Sequence, residues 1–291
     1  MERGSVFWSF SARKASGGHR EIRHTRSDIL KGRVIIMGMT PHVYTGHLPL
    51  VLLIDISSST EDIRELINKC QKKMLRAMAE KVSFKNCVYL YILHFNGRCQ
   101  EVVNFELLDS LEARGALRDD SEELDIKRSY GCTNPGKAIK VALQAADTQK
   151  IKWGRADNVY QPLMFLLTDG YPDAGQGATD EEKKAVEREY CEAAAQIKQR
   201  EKKDAYGKAK ITFAAAGIQR KNGCSANIAR LKELTSDESH VIAVTDAEDG
   251  DVDVAGLAAF YQMVYTATDN TLRGTQNDDL NAAFFDAVPQ L

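Results

Sequence analysis

From about residue 48 onward the chain alternates short runs of β-branched and large apolar residues with stretches in which apolar residues recur every three or four positions. The first kind predicts strands over Leu50 to Asp55, Val88 to Phe95, Cys99 to Phe105, Leu163 to Thr168, Ile211 to Ile218 and Val241 to Val244. Most of these runs are apolar on both faces, as strands covered by helices on two sides must be. The second kind predicts helices. Ile63, Leu66, Ile67, Cys70, Met74 and Met78 make one buried stripe, and Ile139, Ala142, Leu143 and Ala146 make another. Val186, Tyr190, Ala193, Ala194 and Ile197 give a third, and Leu257, Phe260, Tyr261 and Val264 a fourth. Strands alternating with helices predict an α/β fold built on a doubly wound, mostly parallel sheet. One connection is an exception. Asn96-Gly97 lies between two strand-like runs and suits the type I′ turn of a two-residue hairpin, so the third strand is expected to run antiparallel at the sheet's edge.

Residues 1–47 lack this periodicity. Eight Lys/Arg stand there against Glu2, Glu21 and Asp28, a local charge of +5, and the segment reads as a disordered basic extension with no part in the core. Two other readings stay open: an Arg- and Ser-rich, acid-poor stretch also fits a mitochondrial-type leader, and Met37 or Met39 would be the start if the upstream sequence were wrongly included. The expected organisation is the extension over 1–47, one domain over 48–268, and a tail over 269–291 with a short helix from Leu280 to Val288.

Composition narrows the partners. With 39 Lys/Arg against 41 Asp/Glu the net charge is −2, without the basic excess that marks general nucleic-acid or anionic-membrane binders, so neither is an expected partner. No apolar run approaches the roughly 20 residues that span a bilayer, and the N-terminus has no secretory apolar region. Cys70, Cys87, Cys99, Cys132, Cys191 and Cys224 form no C-x-x-C pair. They read as reduced, mostly buried thiols of a cytoplasmic protein, not as a zinc site or a disulfide framework.

The candidate chemistry lies where strands end. The first predicted strand runs into Asp55-Ile56-Ser57-Ser58-Ser59, and the fourth into Thr168-Asp169-Gly170. In an open parallel sheet, ligands bind beyond the carboxyl ends of the strands, at the crevice where strand order reverses. Between them, Gly131-Cys132-Thr133-Asn134-Pro135-Gly136 reads as a turn into a helix, with Pro135 at the first helical position. If the three loops converge, they bring together two carboxylates and three hydroxyls with no imidazole or thiolate. That hard oxygen set suits Mg²⁺, with Mn²⁺ as a substitute, and leaves the ion short of negative charge and open to a carboxylate from a partner.

With D-x-S-x-S at Asp55, Ser57 and Ser59, Thr133 in a later loop and T-D-G at Thr168 to Gly170, the chain resembles the von Willebrand factor A domains that carry a metal-ion-dependent adhesion site. The stretch QPLMFLLTDGYPD is similar to the bacterial tellurite-resistance, TerY-type branch of that family. The resemblance runs from about Leu48 to Thr268. It implies that Ser57 and Ser59 coordinate Mg²⁺ directly, that Thr133, Asp55 and Asp169 do so directly or through water, and that a sixth position takes an acidic residue of a partner. Ser58 and Thr60 stand where the family commonly has Gly and often Met, and neither is a ligand position.

Plainer readings cover several neighbouring features. Ser59-Thr60-Glu61-Asp62 fits an N-terminal capping box, although capping would occupy only one of the serines. Asp173 beside Pro172 reads as a turn residue, and His94 as a core or loop histidine. The acidic stretch Asp246 to Asp253 fails as an EF-hand, because Thr245 and Ala247 fall on ligand positions, and reads as a solvated loop. Arg118 to Glu123 reads as a solvated excursion beside the metal face.

The expected function is that of an intracellular binding module, not an enzyme: a Mg²⁺-dependent protein-interaction domain that captures a partner's Asp or Glu. The TerY-type resemblance implies kinase or phosphatase components as partners in a stress or defence complex. The rival reading is a Mg²⁺-dependent phosphoryl-transfer hydrolase with Asp55 as nucleophile or metal ligand and Lys137 or a backbone nest holding phosphate. A dehalogenase-like phosphatase would want a second Asp two positions after the first, where Ser57 stands.

Overall fold

The computed structural model describes residues 46–154, 159–205, 209–219, 226–245 and 254–274. Most of the expected N-terminal extension, the stretch from Asp246 to Asp253 and the expected tail helix Leu280 to Val288 lie outside the described residues.

The described elements are β1 (Leu48–Asp55), a single 3-10 turn (Ser58–Thr60), α1 (Arg64–Ala79), α2 (Val82–Cys87), β2 (Val88–Phe95), β3 (Cys99–Leu107), α3 (Leu108–Ala113), α4 (Pro135–Trp153), β4 (Leu163–Thr168), α5 (Asp180–Glu201), β5 (Thr212–Gln219), α6 (Ile228–Lys232), a 3-10 turn (Glu238–His240), β6 (Val241–Thr245) and α7 (Val254–Arg273). Each predicted strand is present, with its ends moved by at most two residues. The predicted boundary at Thr268 falls inside α7, which continues to Arg273.

Six strands form one sheet in the order β3-β2-β1-β4-β5-β6. All pairs are parallel except β2 with β3, which is antiparallel. The reason lies in the apolar runs. All eight residues of β1 are buried, and alternate residues serve opposite faces. Leu50, Leu52 and Ile54 pack with Ile67, Met74 and Phe260 of α1 and α7, whereas Val51 and Leu53 pack with Ile139, Leu143 and Ile197 of α4 and α5. Each such buried side chain contributes on the order of 1.5–3 kcal/mol.

The helix ends are set by local chemistry. Asn134 caps α4 by accepting from Lys137 N, with Pro135 in the first turn. A capping box holds the start of α5: Thr179 Oγ1 accepts from Glu182 N, and the Glu182 carboxylate accepts from Thr179 N. Asn227 caps α6.

The hairpin differs from its prediction in one respect. The edge position and antiparallel sense of β3 are as expected, but neither Asn96 nor Gly97 adopts the positive φ that a type I′ turn requires. Phe95 pairs with Cys99, leaving a three-residue connection. The Asn96 side chain organises it by accepting from Arg98 N at 2.7 Å. Gly97 is needed for close approach instead, since a Cβ there would sit 2.5 Å from Cys132 Sγ.

The connection from α3 to α4 is less solvated than its charges predict. Arg118 to Glu123 are largely exposed, but Leu124 and Ile126 on the same segment are buried. The polar side of α1 holds that segment: Asn68 exchanges two hydrogen bonds with the Ile126 backbone, and Lys72 pairs with Asp125 at 2.9 Å. The five described cysteines, Cys70, Cys87, Cys99, Cys132 and Cys191, are free thiols. Among the described residues no helix is long and apolar enough to cross a membrane.

Candidate metal centre

β1 and β4 are neighbours at the point where strand order reverses, so Asp55 and Thr168 end side by side and Asp169 follows directly. Asp55 is 1% exposed and Asp169 is 0% exposed. Asp55 is held on both oxygens: Oδ1 accepts from Ser57 N at 2.8 Å, and Oδ2 accepts from Thr168 Oγ1 at 2.5 Å. The same Thr168 hydroxyl accepts from Gly170 N at 3.1 Å. One threonine thereby sets the position of both acidic loops.

The serine loop closes the arrangement. Ser57 Oγ and Ser59 Oγ share a hydrogen bond of 3.0 Å, and Ser59 Oγ donates to Asp169 Oδ1 at 2.8 Å. Ser57 and Ile63, at the starts of the 3-10 turn and of α1, make no side-chain cap. The hydroxyls of Ser57 and Ser59 turn toward the carboxylates instead. Ser58 points elsewhere, its N and Oγ both donating to Gly131 O at 3.2 Å. Gly131 has φ +82°, a conformation open to glycine at little cost.

Thr133 reaches the site from a third loop. It is 4% exposed and packs against Gly170, where a Cβ would come within 2.7 Å of Thr133 Oγ1. Thr133 O accepts from Asp173 N at 2.7 Å. Asp173 is a turn residue as expected, its Oδ1 accepting from Gly175 N. The structure thus brings Asp55, Ser57, Ser59 and Asp169 into one hydrogen-bonded chain through Thr168 and sets Thr133 against the neighbouring glycine. Gly170→Ala is expected to displace the buried Thr133 side chain and lower stability by about 1–3 kcal/mol. Denaturant unfolding of the two proteins measures it, and equal midpoints would refute the close contact.

Two asparagines escape the motif. Asn96, 3% exposed, donates from Nδ2 to Tyr130 O at 2.8 Å, while its own carbonyl accepts from Asn134 N at 3.1 Å. Asn134 Nδ2 donates to Glu189 Oε2 at 2.7 Å. They fix the Thr133 loop from both ends. Asn134 is legible in sequence as an Asn-Pro helix start, whereas Asn96 reads there only as a turn residue. His94 is 3% exposed, and burial lowers its imidazole to about 4, so it is neutral at pH 7 as a core histidine should be.

The donor set decides what could be held. Among the described residues no group of three or more His, Cys, Asp or Glu converges, which leaves the oxygen cluster as the metal candidate. Burial, and then the charge of Asp169, push the Asp55 carboxyl up to about 7 against the opposing hydrogen bonds of Thr168 and Ser57. Two carboxylates in one buried site repel unless a proton or a cation lies between them. Two hard anions and three neutral hydroxyls fit a small divalent cation that prefers oxygen.

No curated protein is significantly similar to the chain. Solved structures that share its fold include proximal thread matrix protein 1 from the mussel byssus, 15% identical with a TM-score of 0.50, over 76% of this chain and 48% of that one. The PilB minor pilin from Streptococcus sanguinis is also 15% identical with a TM-score of 0.50, over 78% of this chain and 62% of its own. The chain spans less than two thirds of either, and the likeness is one of fold. Residues 50–254, more than half of the chain, match the von Willebrand factor type A domain. That match runs from Leu50 within β1 through β6 and covers both acidic loops, and the chain belongs to the von Willebrand factor type A domain family.

Proposed function

We propose that this chain is an intracellular binding module that captures an Asp or Glu of a protein partner through a Mg²⁺ ion held by Asp55, Ser57, Ser59, Thr133 and Asp169. One observation carries the reading: two buried carboxylates from adjacent strand ends meet the hydroxyls of the serine loop in one hydrogen-bonded chain. Domains of this family generally mediate metal-dependent protein–protein interaction and are typically not enzymes. A divalent cation supplies a Lewis-acidic position that a further carboxylate can fill. Two carboxylates among neutral hydroxyls leave that position favourable to an anion, while Thr168 keeps the loops in place. The hard donor set favours Mg²⁺, with Mn²⁺ as substitute. The TerY-type resemblance of QPLMFLLTDGYPD extends the proposal to a cytoplasmic stress or defence complex with kinase or phosphatase components.

The test is calorimetric titration of the chain with Mg²⁺ and Mn²⁺, followed by capture of partners in Mg²⁺ against EDTA. Failure of both ions to bind would overturn the reading.

The Asp55 carboxyl adds a pH dependence. Its folded pKa of about 7 lies above the ordinary aspartate value of 3.8. Between those limits the folded, metal-free chain holds a proton that the unfolded chain has released. This group therefore favours the folded state at low pH, and that contribution, roughly 4 kcal/mol, is lost as pH rises toward 7. Cation binding needs the ionised carboxylate. Saturating Mg²⁺ is thus expected to raise the melting temperature by several degrees at pH 8 and progressively less toward pH 5. Scanning calorimetry in Mg²⁺ and in EDTA checks this, and a gain that grows on acidification would contradict it.

A further inference from the structure

Among the described residues the loops flanking the metal centre differ in charge. Among the described residues four large hydrophobic side chains are exposed, and two of them, Tyr130 (53%) and Tyr171 (51%), stand in the loops of this site. Tyr130 precedes Gly131, whose carbonyl holds Ser58, and its N donates to Ile56 O at 2.8 Å. Tyr171 follows Gly170 on the other flank, its hydroxyl accepting from Asn227 Nδ2. Beyond Tyr171 comes the exposed carboxylate of Asp173. Beyond Tyr130 the chain presents Arg128, Lys127 and Arg64, which line an open depression with Glu61, Ser129 and Tyr130. Glu61 is engaged there already, accepting from Arg64 at 2.9 Å and from Ser129 N at 2.8 Å. Lys127 pairs with Glu122 across an exposed contact. Arg128 is exposed and, among the described residues, makes no ion pair.

We propose that this shelf reads a second acidic side chain of the partner, so that the protein recognises an acidic segment whose first carboxylate sits at the metal centre and whose next one reaches Arg128 past Tyr130. The proposal rests on the metal-dependent reading and adds a direction to it. Arg128 and Tyr130 line one depression with Glu61, which lies two residues after Ser59, so the second acid is placed within a few residues of the first. On the Tyr171 side the same acid would meet Asp173, a like charge. Tyr130, exposed in the same depression as Arg128, offers a rigid amphipathic surface, the kind of side chain enriched in binding hot spots. An exposed Arg at the end of such a shelf adds selectivity and association rate more than raw affinity.

The test uses the full chain and fluorescein-labelled Gly/Ser peptides. Each peptide carries one Asp followed at the second, third or fourth position by Glu, or by Lys at the same places. Mn²⁺ binding is first measured by calorimetry in the parent and in Arg128→Glu and Arg128→Lys variants, and is expected to be equal in all three. Fluorescence anisotropy in Mn²⁺ is then expected to show at least a tenfold preference of the parent for one Glu peptide over its Lys counterpart. Arg128→Lys should keep that preference, Arg128→Glu should reverse it, and EDTA should abolish binding. A parent that takes up Mn²⁺ and binds the Glu and Lys peptides equally, or binds neither, overturns the shelf while leaving the metal centre standing. A parent that does not bind Mn²⁺ overturns both, and the calorimetry shows this before any peptide is added.

Discussion

Replacing Asp169 by alanine is expected to weaken Mg²⁺ and Mn²⁺ binding at least a hundredfold without unfolding the domain. The first half of the expectation follows from charge. Asp55 and Asp169 are the two carboxylates of the cluster, so the variant removes half of the negative charge offered to a divalent cation, together with the acceptor for Ser59 Oγ. A hundredfold corresponds to about 2.7 kcal/mol, modest for the loss of a charged ligand when outer partners of metal ligands alone cost 10–100-fold. The second half follows from repulsion. In the absence of metal the charge of Asp169 raises the Asp55 pKa, so its removal relieves a cost as well as deleting contacts. Metal-free stability should therefore hold steady or rise, even as the stabilisation by Mg²⁺ disappears. Titration calorimetry gives the affinity, and melting in EDTA gives the stability. Binding within threefold of the parent would remove Asp169 from the site, and a collapsed melting temperature would make its role structural.

The second large effect is expected from steric contact alone. Gly136 lies in the first turn of α4, where a Cβ would sit 2.5 Å from Tyr190 N and 2.6 Å from the Glu189 carbonyl carbon of α5. Those are backbone atoms, and no rotamer change can clear them. Gly136→Ala must push the two helices apart, and overpacking of a buried contact costs typically 1–3 kcal/mol, occasionally more. With backbone on the receiving side, about 3 kcal/mol or more is expected, a fall in melting temperature of roughly 6–12 °C for a domain of this size. Separation of the helices also strains the bond from Asn134 to Glu189, which anchors the Thr133 loop. The variant should therefore lose metal affinity as well as stability. Thermal melts and Mg²⁺ titration of the same preparation check both, and an unchanged melting temperature would show that the helices do not cross this closely.

These two residues show what a sequence displays and what it hides. Asp169 was legible because a carboxylate after an apolar run is conspicuous, and the strands themselves were legible because both faces of each are buried. Asp55, Ser57, Ser59 and Thr133 stand out in the sequence as candidates for the same reason, their residue types being out of place at strand and helix ends. Gly136 reads only as a loop glycine, since its requirement comes from a helix some fifty residues later. Asn96 reads in sequence as a turn former, and its bonds to Tyr130 and Asn134 belong to segments that meet only in three dimensions. Thr168 reads in sequence as part of a motif, and in the structure its hydroxyl joins Asp55 to Gly170. The type I′ turn failed because Gly97 is small for the benefit of Cys132, not for a left-handed backbone.

The edge strand β3 carries a last consequence. Its pairing with β2 shifts register twice, between Leu90 and Ile92 and again between Ile92 and Leu93. Near the first shift Phe105 adopts φ +46°, strained for a side chain of its bulk. Its ring is anchored by stacking on Tyr91 at 4.9 Å and by Trp153 at 6.2 Å. The strand's exposed positions carry Gln100, Glu101 and Asn104. A bent, polar border of this kind makes a poor template for a strand of another molecule. The bend at Phe105 thereby works against edge-to-edge accretion of further copies along β3.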